Sequence, residues 1–350
     1  MSKLLPLAIA ALFVTGACSK DEEKKAKRPK VAKVDPGANK KTPETPKADP
    51  EILRRGEYLA AISGCVLCHT AVGPTGPIMD KAYAGGLEVP EKFGTWISPN
   101  ITQHEETGIG KWTDDEIIAS IREGVRPDGS KLLPLMPYMF YNKMSDDDAK
   151  ALVTFLRMLP KVDNKIKRND LPLPHVPVPK AEGKAPGDEP VAQGEYLTSL
   201  MHCVMCHTPM DEKGPVMAKA WQGGFEFDIP MFGEGKLYST NITQAKKTGL
   251  GDWTDEQILA AIKEMKKKDG SMINPPMAMY QQGWFGLTET DGNNIVAFLR
   301  TIPAVENKVP KSTFKAKPMG GPPPGADKGG ADKGKGGADK GGDKKIPTKK

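Results

Sequence analysis

GEYLAAISGCVLCHT at residues 56–70 is answered by GEYLTSLMHCVMCHT at residues 194–208. The match continues outward from there. PNITQHEETGIGKWTDDEI (99–117) pairs with TNITQAKKTGLGDWTDEQI (240–258), and ALVTFLRMLP (151–160) pairs with NIVAFLRTIP (294–303). The spacing between partners stays near 140 residues, so one fold is written twice in a 350-residue chain. The two copies span 51–165 and 189–305, with a Pro- and Lys-rich linker at 166–188.

Each copy reads as three helices joined by long loops, which makes the chain mainly α. The first helix carries Gly56, Tyr58 and Leu59, or Gly194, Tyr196 and Leu197. The middle helix starts at Thr113 with Glu116 three residues on, or at Thr254 with Gln257, the pattern of a capping box. The last helix opens at Ser145 or Thr288 with an acidic first turn that suits the helix dipole. It continues in an apolar stripe of Leu152, Phe155, Leu156 and Leu159, or Ile295, Phe298 and Leu299. The intervening loops are too long and too rich in Gly and Pro for a packed domain of this size, so the core needs something besides polypeptide.

Both copies contain CxxCH: Cys65, Cys68 and His69, then Cys203, Cys206 and His207. Two thiols at this spacing can bond to the two vinyl groups of one haem, and the next residue is then placed to ligate its iron. A zinc half-site would need a fourth ligand that repeats, and the remaining His and Cys do not. A redox dithiol would need a βαβ setting, and no strand alternation is visible. Two covalent haem c groups are the expected cofactors.

With these motifs in hand, the chain resembles the bacterial class I diheme c-type cytochromes, particularly the cytochrome subunits of membrane-associated alcohol and sugar dehydrogenases. GEYL, CxxCH, PNIT, G-x-G-x-W-T-D and the final FLR-x-x-P helix carry the resemblance, over about 50–165 and 190–305. It implies two tandem class I cytochrome c domains, each with a Met from the loop before the last helix as sixth iron ligand. The matching residues are Met136 in LLPLMPYMFY and Met277 in INPPMAMYQQ, with Met139 and Met279 as nearby rivals. Trp112, Trp253, Asn100, Asn241 and Tyr138 are candidates to line the haems; the tryptophans equally read as core aromatics, and the asparagines either order the loop on the propionate side or simply make a turn. His104, His175 and His202 do not repeat, and His202 is expected at the surface or a haem edge.

Two closed irons suit one-electron transfer rather than catalysis, and no acid, base or nucleophile constellation stands out. The alternative is a haem enzyme with one open iron, such as a diheme peroxidase or a thiosulfate-oxidising cytochrome. The expected partners are a dehydrogenase or other donor and a cytochrome or oxidase acceptor.

The two ends read differently. MSKLLPLAIAALFVTGAC has a short apolar run and small residues before Cys18, as in a lipoprotein signal, which makes residues 1–17 a signal peptide and Cys18 a lipidated N-terminus. The expectation is export and a lipid anchor facing the periplasm, with Ser19 favouring the outer membrane. Residues 18–50 read as a solvated tether, and 306–350 as a low-complexity tail disordered in solution. The formal net charge of +6 comes from such segments: 51–165 holds 13 basic and 16 acidic residues, whereas 306–350 holds 12 and 5. No basic helix interleaved with aromatics appears, so nucleic-acid binding is not expected.

Overall fold

The computed structural model describes residues 48–317, apart from 74–75, 92–93, 170, 212–213 and 231. Contacts divide the chain into Met1–Glu44 and Thr45–Lys350. The first unit lies outside the described residues, and with it the expected signal peptide, Cys18 and most of the tether.

The first half begins with α1 (Pro50–Ile62), whose N-cap Asp49 accepts from the Glu51 amide and whose first residue is a proline. The CVLC segment follows as the single turn α2 (Cys65–Cys68). Then come α3 (Asp114–Glu123), α4 (Tyr138–Tyr141) and α5 (Asp146–Arg157). The second half repeats this order in α6 (Pro190–Leu200), α7 (Cys203–Cys206), α8 (Asp255–Lys263), α9 (Gln281–Phe285) and α10 (Glu289–Thr301). Three helices per copy are thus joined by two short ones, and small antiparallel hairpins such as Glu88–Glu91 with Gly94–Ile97 fill the long loops. Among the described residues, no helix is long and apolar enough to cross a membrane.

Both capping boxes form. The Thr113 and Thr254 hydroxyls accept from the amides of Glu116 and Gln257, whose side chains accept in return from the Thr amides. Ser145 and Thr288 cap α5 and α10 through the hydroxyl alone, which accepts from the amide of Asp148 or Asp291. In each half the first and last helices cross at a glycine. A Cβ on Gly56 would lie 1.9 Å from the Ala151 carbonyl oxygen, and one on Gly194 would lie 1.9 Å from that of Asn294. Only hydrogen fits at either crossing. The predicted stripe is the buried side of this packing: Leu152 and Leu156, with Ile295 and Leu299, join Leu59, Ile62, Leu197 and Leu200 in the core.

The segments after each last helix fold back on the loops of their own half. At the end of the first copy, Asn164 donates to the Ala84 carbonyl at 2.9 Å, and in the linker Asn169 exchanges two bonds with Ile97 at 2.7 and 2.8 Å. The stretch expected to begin a disordered tail at 306 does the same to the second half. Asn307 donates to Gln222 O at 2.8 Å, and Lys315–Ala316 pairs with Gly233–Glu234 as a short antiparallel ladder. The repeat therefore extends past the last helix, and residues 306–317 belong to the second half. The reason is backbone hydrogen bonding, which apolar periodicity does not register. The rest of the expected tail lies outside the described residues.

The halves meet through reciprocal bonds. Tyr58 on α1 donates to Asp291 on α10, and Tyr196 on α6 donates to Asp148 on α5 at 2.7 Å. Asp148 also takes a two-pronged bond from Arg55 at 2.7 and 2.8 Å. Burial raises both phenols well above their ordinary pKa, so each remains a donor.

Candidate functional site: the two CxxCH turns

Each motif is one helical turn entered from a left-handed residue, Gly64 at φ 69° or His202 at φ 43°. The four cysteines are free and half-buried. Burial, with some repulsion from the neighbouring thiol, pushes Cys65 and Cys203 up to about 12. Burial likewise lifts Cys68 and Cys206 to about 11. A redox dithiol works through a lowered pKa, so this environment is the wrong one for that chemistry.

The two histidines are set identically. His69 Nδ1 lies 2.8 Å from Pro99 O, and His207 Nδ1 lies 2.8 Å from Thr240 O. A carbonyl can only accept, so Nδ1 carries the proton and Nε2 keeps its lone pair. Burial lowers both pKa values, which keeps the rings neutral. A neutral imidazole, oriented through its other nitrogen, is what an iron ligand requires.

The carbonyls that orient them sit beside Asn100 and Asn241. Asn100 accepts from the Thr102 amide at 2.9 Å and donates to Val162 O at 2.8 Å. Asn241 does the same with Thr243 at 2.9 Å and Val305 at 2.8 Å. Both are nearly inaccessible to solvent. Each asparagine pins the loop that carries the histidine's acceptor.

Met136 precedes α4, and Met277 opens a short 3-10 turn ending at Tyr280. Both thioether side chains are half-buried against the core, as are Trp112 and Trp253. Tyr138 is fully buried, but its hydroxyl turns to the linker, 3.0 Å from His175 Nδ1 and 2.8 Å from the Val176 amide. His104 closes its own loop through Thr107.

The donor set of each copy is therefore two unpaired thiols, a neutral imidazole with Nε2 free, and a thioether loop. That set fits a covalently bound haem. A cytochrome c family model matches residues 191–303. A diheme cytochrome c-type protein of Cereibacter sphaeroides is 30% identical over 283 residues, 74% of this chain and 91% of that protein.

The chain belongs to the cytochrome c family. It is similar also to the cytochrome c subunit of the quinone alcohol dehydrogenase of Gluconobacter oxydans, at 31% identity over 277 residues, 74% of this chain and 56% of that subunit. The fructose dehydrogenase cytochrome subunit of Gluconobacter japonicus is 30% identical over 268 residues, 72% of this chain and 53% of that subunit. This cytochrome thus spans little more than half the length of those dehydrogenase subunits.

Two features of the cytochrome escape a reading of motifs alone. Arg157 and Arg300, the Arg of each FLR, clamp the Trp loop. Arg157 donates to Trp112 O at 2.5 Å, Gln103 Oε1 at 3.0 Å and Asp114 at 2.9 Å. Arg300 repeats this with Trp253 O at 2.6 Å, Gln244 at 2.9 Å and Asp255 at 2.8 Å. Their recurrence in both copies was the available signal. The second is His202. Of the two places expected for it, the surface is not where it lies: it is 8% exposed, edge-on to Tyr141 of the other half and to Tyr280. The motif itself does not predict this, because Tyr141 comes from the other half and Tyr280 from the far side of its own.

Proposed function

We propose that this protein is a two-haem electron carrier of the cell envelope. One haem c is bound by Cys65 and Cys68, with His69 and Met136 on its iron. The other is bound by Cys203 and Cys206, with His207 and Met277. The observation that carries the reading is the matched pair of Nδ1–carbonyl bonds, which present two neutral Nε2 atoms beside two thiol pairs. Bound haem iron would supply one-electron chemistry, and a thioether opposite imidazole favours its ferrous state. The chain's own contribution is orientation: Asn100 and Asn241 hold the acceptor loops, and Arg157 and Arg300 hold the Trp loops. The reciprocal Tyr–Asp bonds keep the halves together, which suits electron exchange within one molecule.

Relatives named as dehydrogenase cytochrome subunits support a role passing electrons from a dehydrogenase to a cytochrome or oxidase. Lipidation at Cys18 would hold the protein on a membrane surface facing the periplasm, with the outer membrane favoured. Cys18→Ser is expected to release it from the membrane fraction.

Oxidised holoprotein tests the ligation. The weak long-wavelength sulfur-to-iron band is expected at two haem equivalents, halved by Met136→Ala or Met277→Ala and lost in the double variant. A high-spin signal in the unsubstituted protein, or a band worth one haem, would point to an open iron and to peroxidase-type chemistry.

A further inference from the structure

Tyr280 stands where the halves meet. It ends the Met277–Tyr280 turn, three residues beyond the thioether assigned to the second haem. Its ring lies against the first half: a Cβ built on Gly64 would come 2.4 Å from the ring's Cε1. On another side it meets His202 edge-on, with centroids 5.7 Å apart. Gly64 precedes Cys65, and His202 precedes Cys203. One ring therefore touches the entry residue of both CxxC turns.

The ring is itself fixed. Trp284 stacks on it at 4.8 Å and 25°, and the Trp284 Nε1–H donates to Ile62 O at 2.9 Å, across the same interface. The placement has no counterpart by repeat position. The residue of the first half that matches Tyr280 is Met139. Tyr141 comes nearest in space, edge-on to His202 at 6.4 Å and donating to Ser63 O at 3.2 Å, but it is the Tyr280 ring that lies against Gly64.

We propose that Tyr280 is a positioning residue for electron exchange between the two haems, its ring filling the space between the two attachment turns and holding them at a fixed separation. This rests on the two-haem reading above. One electron leaves the reduced haem and the oxidised haem gains it. No proton is transferred, because burial keeps the Tyr280 hydroxyl protonated. Tunnelling weakens steeply across a void, so the ring's packing rather than its hydroxyl sets the rate.

Full-length holoprotein carrying Tyr280→Phe, Tyr280→Leu or Gly64→Ala tests this. Haem content and the sulfur-to-iron band are measured first. One haem is then reduced rapidly, and equilibration with the other is followed optically. Tyr280→Phe is expected to equilibrate at the unsubstituted rate. Tyr280→Leu, which removes the ring, and Gly64→Ala, which displaces it from the far side, should each slow equilibration by about tenfold or more, as an ångström-scale misplacement does elsewhere. Unchanged rates in Tyr280→Leu and Gly64→Ala, with both haems in place, overturn the proposal. So does Tyr280→Phe slowing as much as Tyr280→Leu, since the hydroxyl would then be the active part. Should Tyr280→Leu lose the Met277 band, Gly64→Ala, on the other half, decides. Unsubstituted protein with a single haem, or without a full band, fails the two-haem reading instead and is recognised before any variant is made.

Discussion

A neutral imidazole at position 202 makes the contact between the halves sensitive to acid. Burial is the main cause and holds its pKa at about 4, against 6.5 for a free histidine. A lowered histidine pKa means the unfolded chain binds the extra proton first. Stability is then fully present above about pH 6.5 and is lost progressively as the pH falls toward 4. Between pH 7 and pH 5 the loss from this one residue is about 2 kcal/mol. Urea midpoints of the holoprotein should fall over that range, and His202→Gln should flatten the dependence; an equal slope in the variant would assign the acid sensitivity elsewhere. Asn100 gives a second case. Asn100→Ala strips a buried amide of its acceptor and frees the loop beside Pro99, and is expected to cost about 2–3 kcal/mol. It should also weaken the sulfur-to-iron band of the first haem while leaving that of the second. At this scale the sequence was informative wherever a residue recurs: the cysteines, His69, His207 and both asparagines announce themselves twice. His202 does not recur, and its environment is assembled from residues far along the chain.

Helices and their ends were the most legible elements. Thr113 with Glu116, and Thr254 with Gln257, form both halves of their capping boxes because the interaction is local and needs only three residues of spacing. The strand-like wrapping of 162–169 and 306–317 was not legible, since Asn164 and Asn307 reach backbone carbonyls some 80 residues earlier. The acidic first turns were legible only as dipole partners; the structure gives Asp148 and Asp291 further work across the interface. Gly56 and Gly194 show what an element demands of one residue. Gly56→Ala must separate α1 from α5 at a point already in contact, at a cost of about 3 kcal/mol. Gly194→Ala should cost the same in α6 against α10. Thermal unfolding of the two variants should show equal losses, and a tolerated alanine at either site would mean the crossing can open freely.

At the scale of the molecule, the Tyr58–Asp291 and Tyr196–Asp148 bonds decide whether the halves melt together. Each variant Tyr58→Phe and Tyr196→Phe leaves a carboxylate short of a donor, at about 1–3 kcal/mol. In the double variant, calorimetry should resolve two transitions where the unsubstituted holoprotein shows one. A single sharp transition in the double variant would place the coupling in Tyr280, Trp284 and the apolar contact instead. The repeat itself was plain in the sequence, but the way its two copies face each other was not, because no pattern within one copy encodes a partner in the other.

The Tyr–Asp exchange has one more consequence. Each half offers one tyrosine and one aspartate and receives the same pair in return, the self-complementary arrangement of a two-fold dimer. Nothing in such a contact distinguishes a half tethered in the same chain from the matching half of a neighbouring molecule. Only the linker, by keeping the local concentration of its own partner high, favours the closed form. In a crowded preparation refolded from denaturant, two chains can trade halves and satisfy every bond, so interlocked dimers are the expected misassembly of this cytochrome.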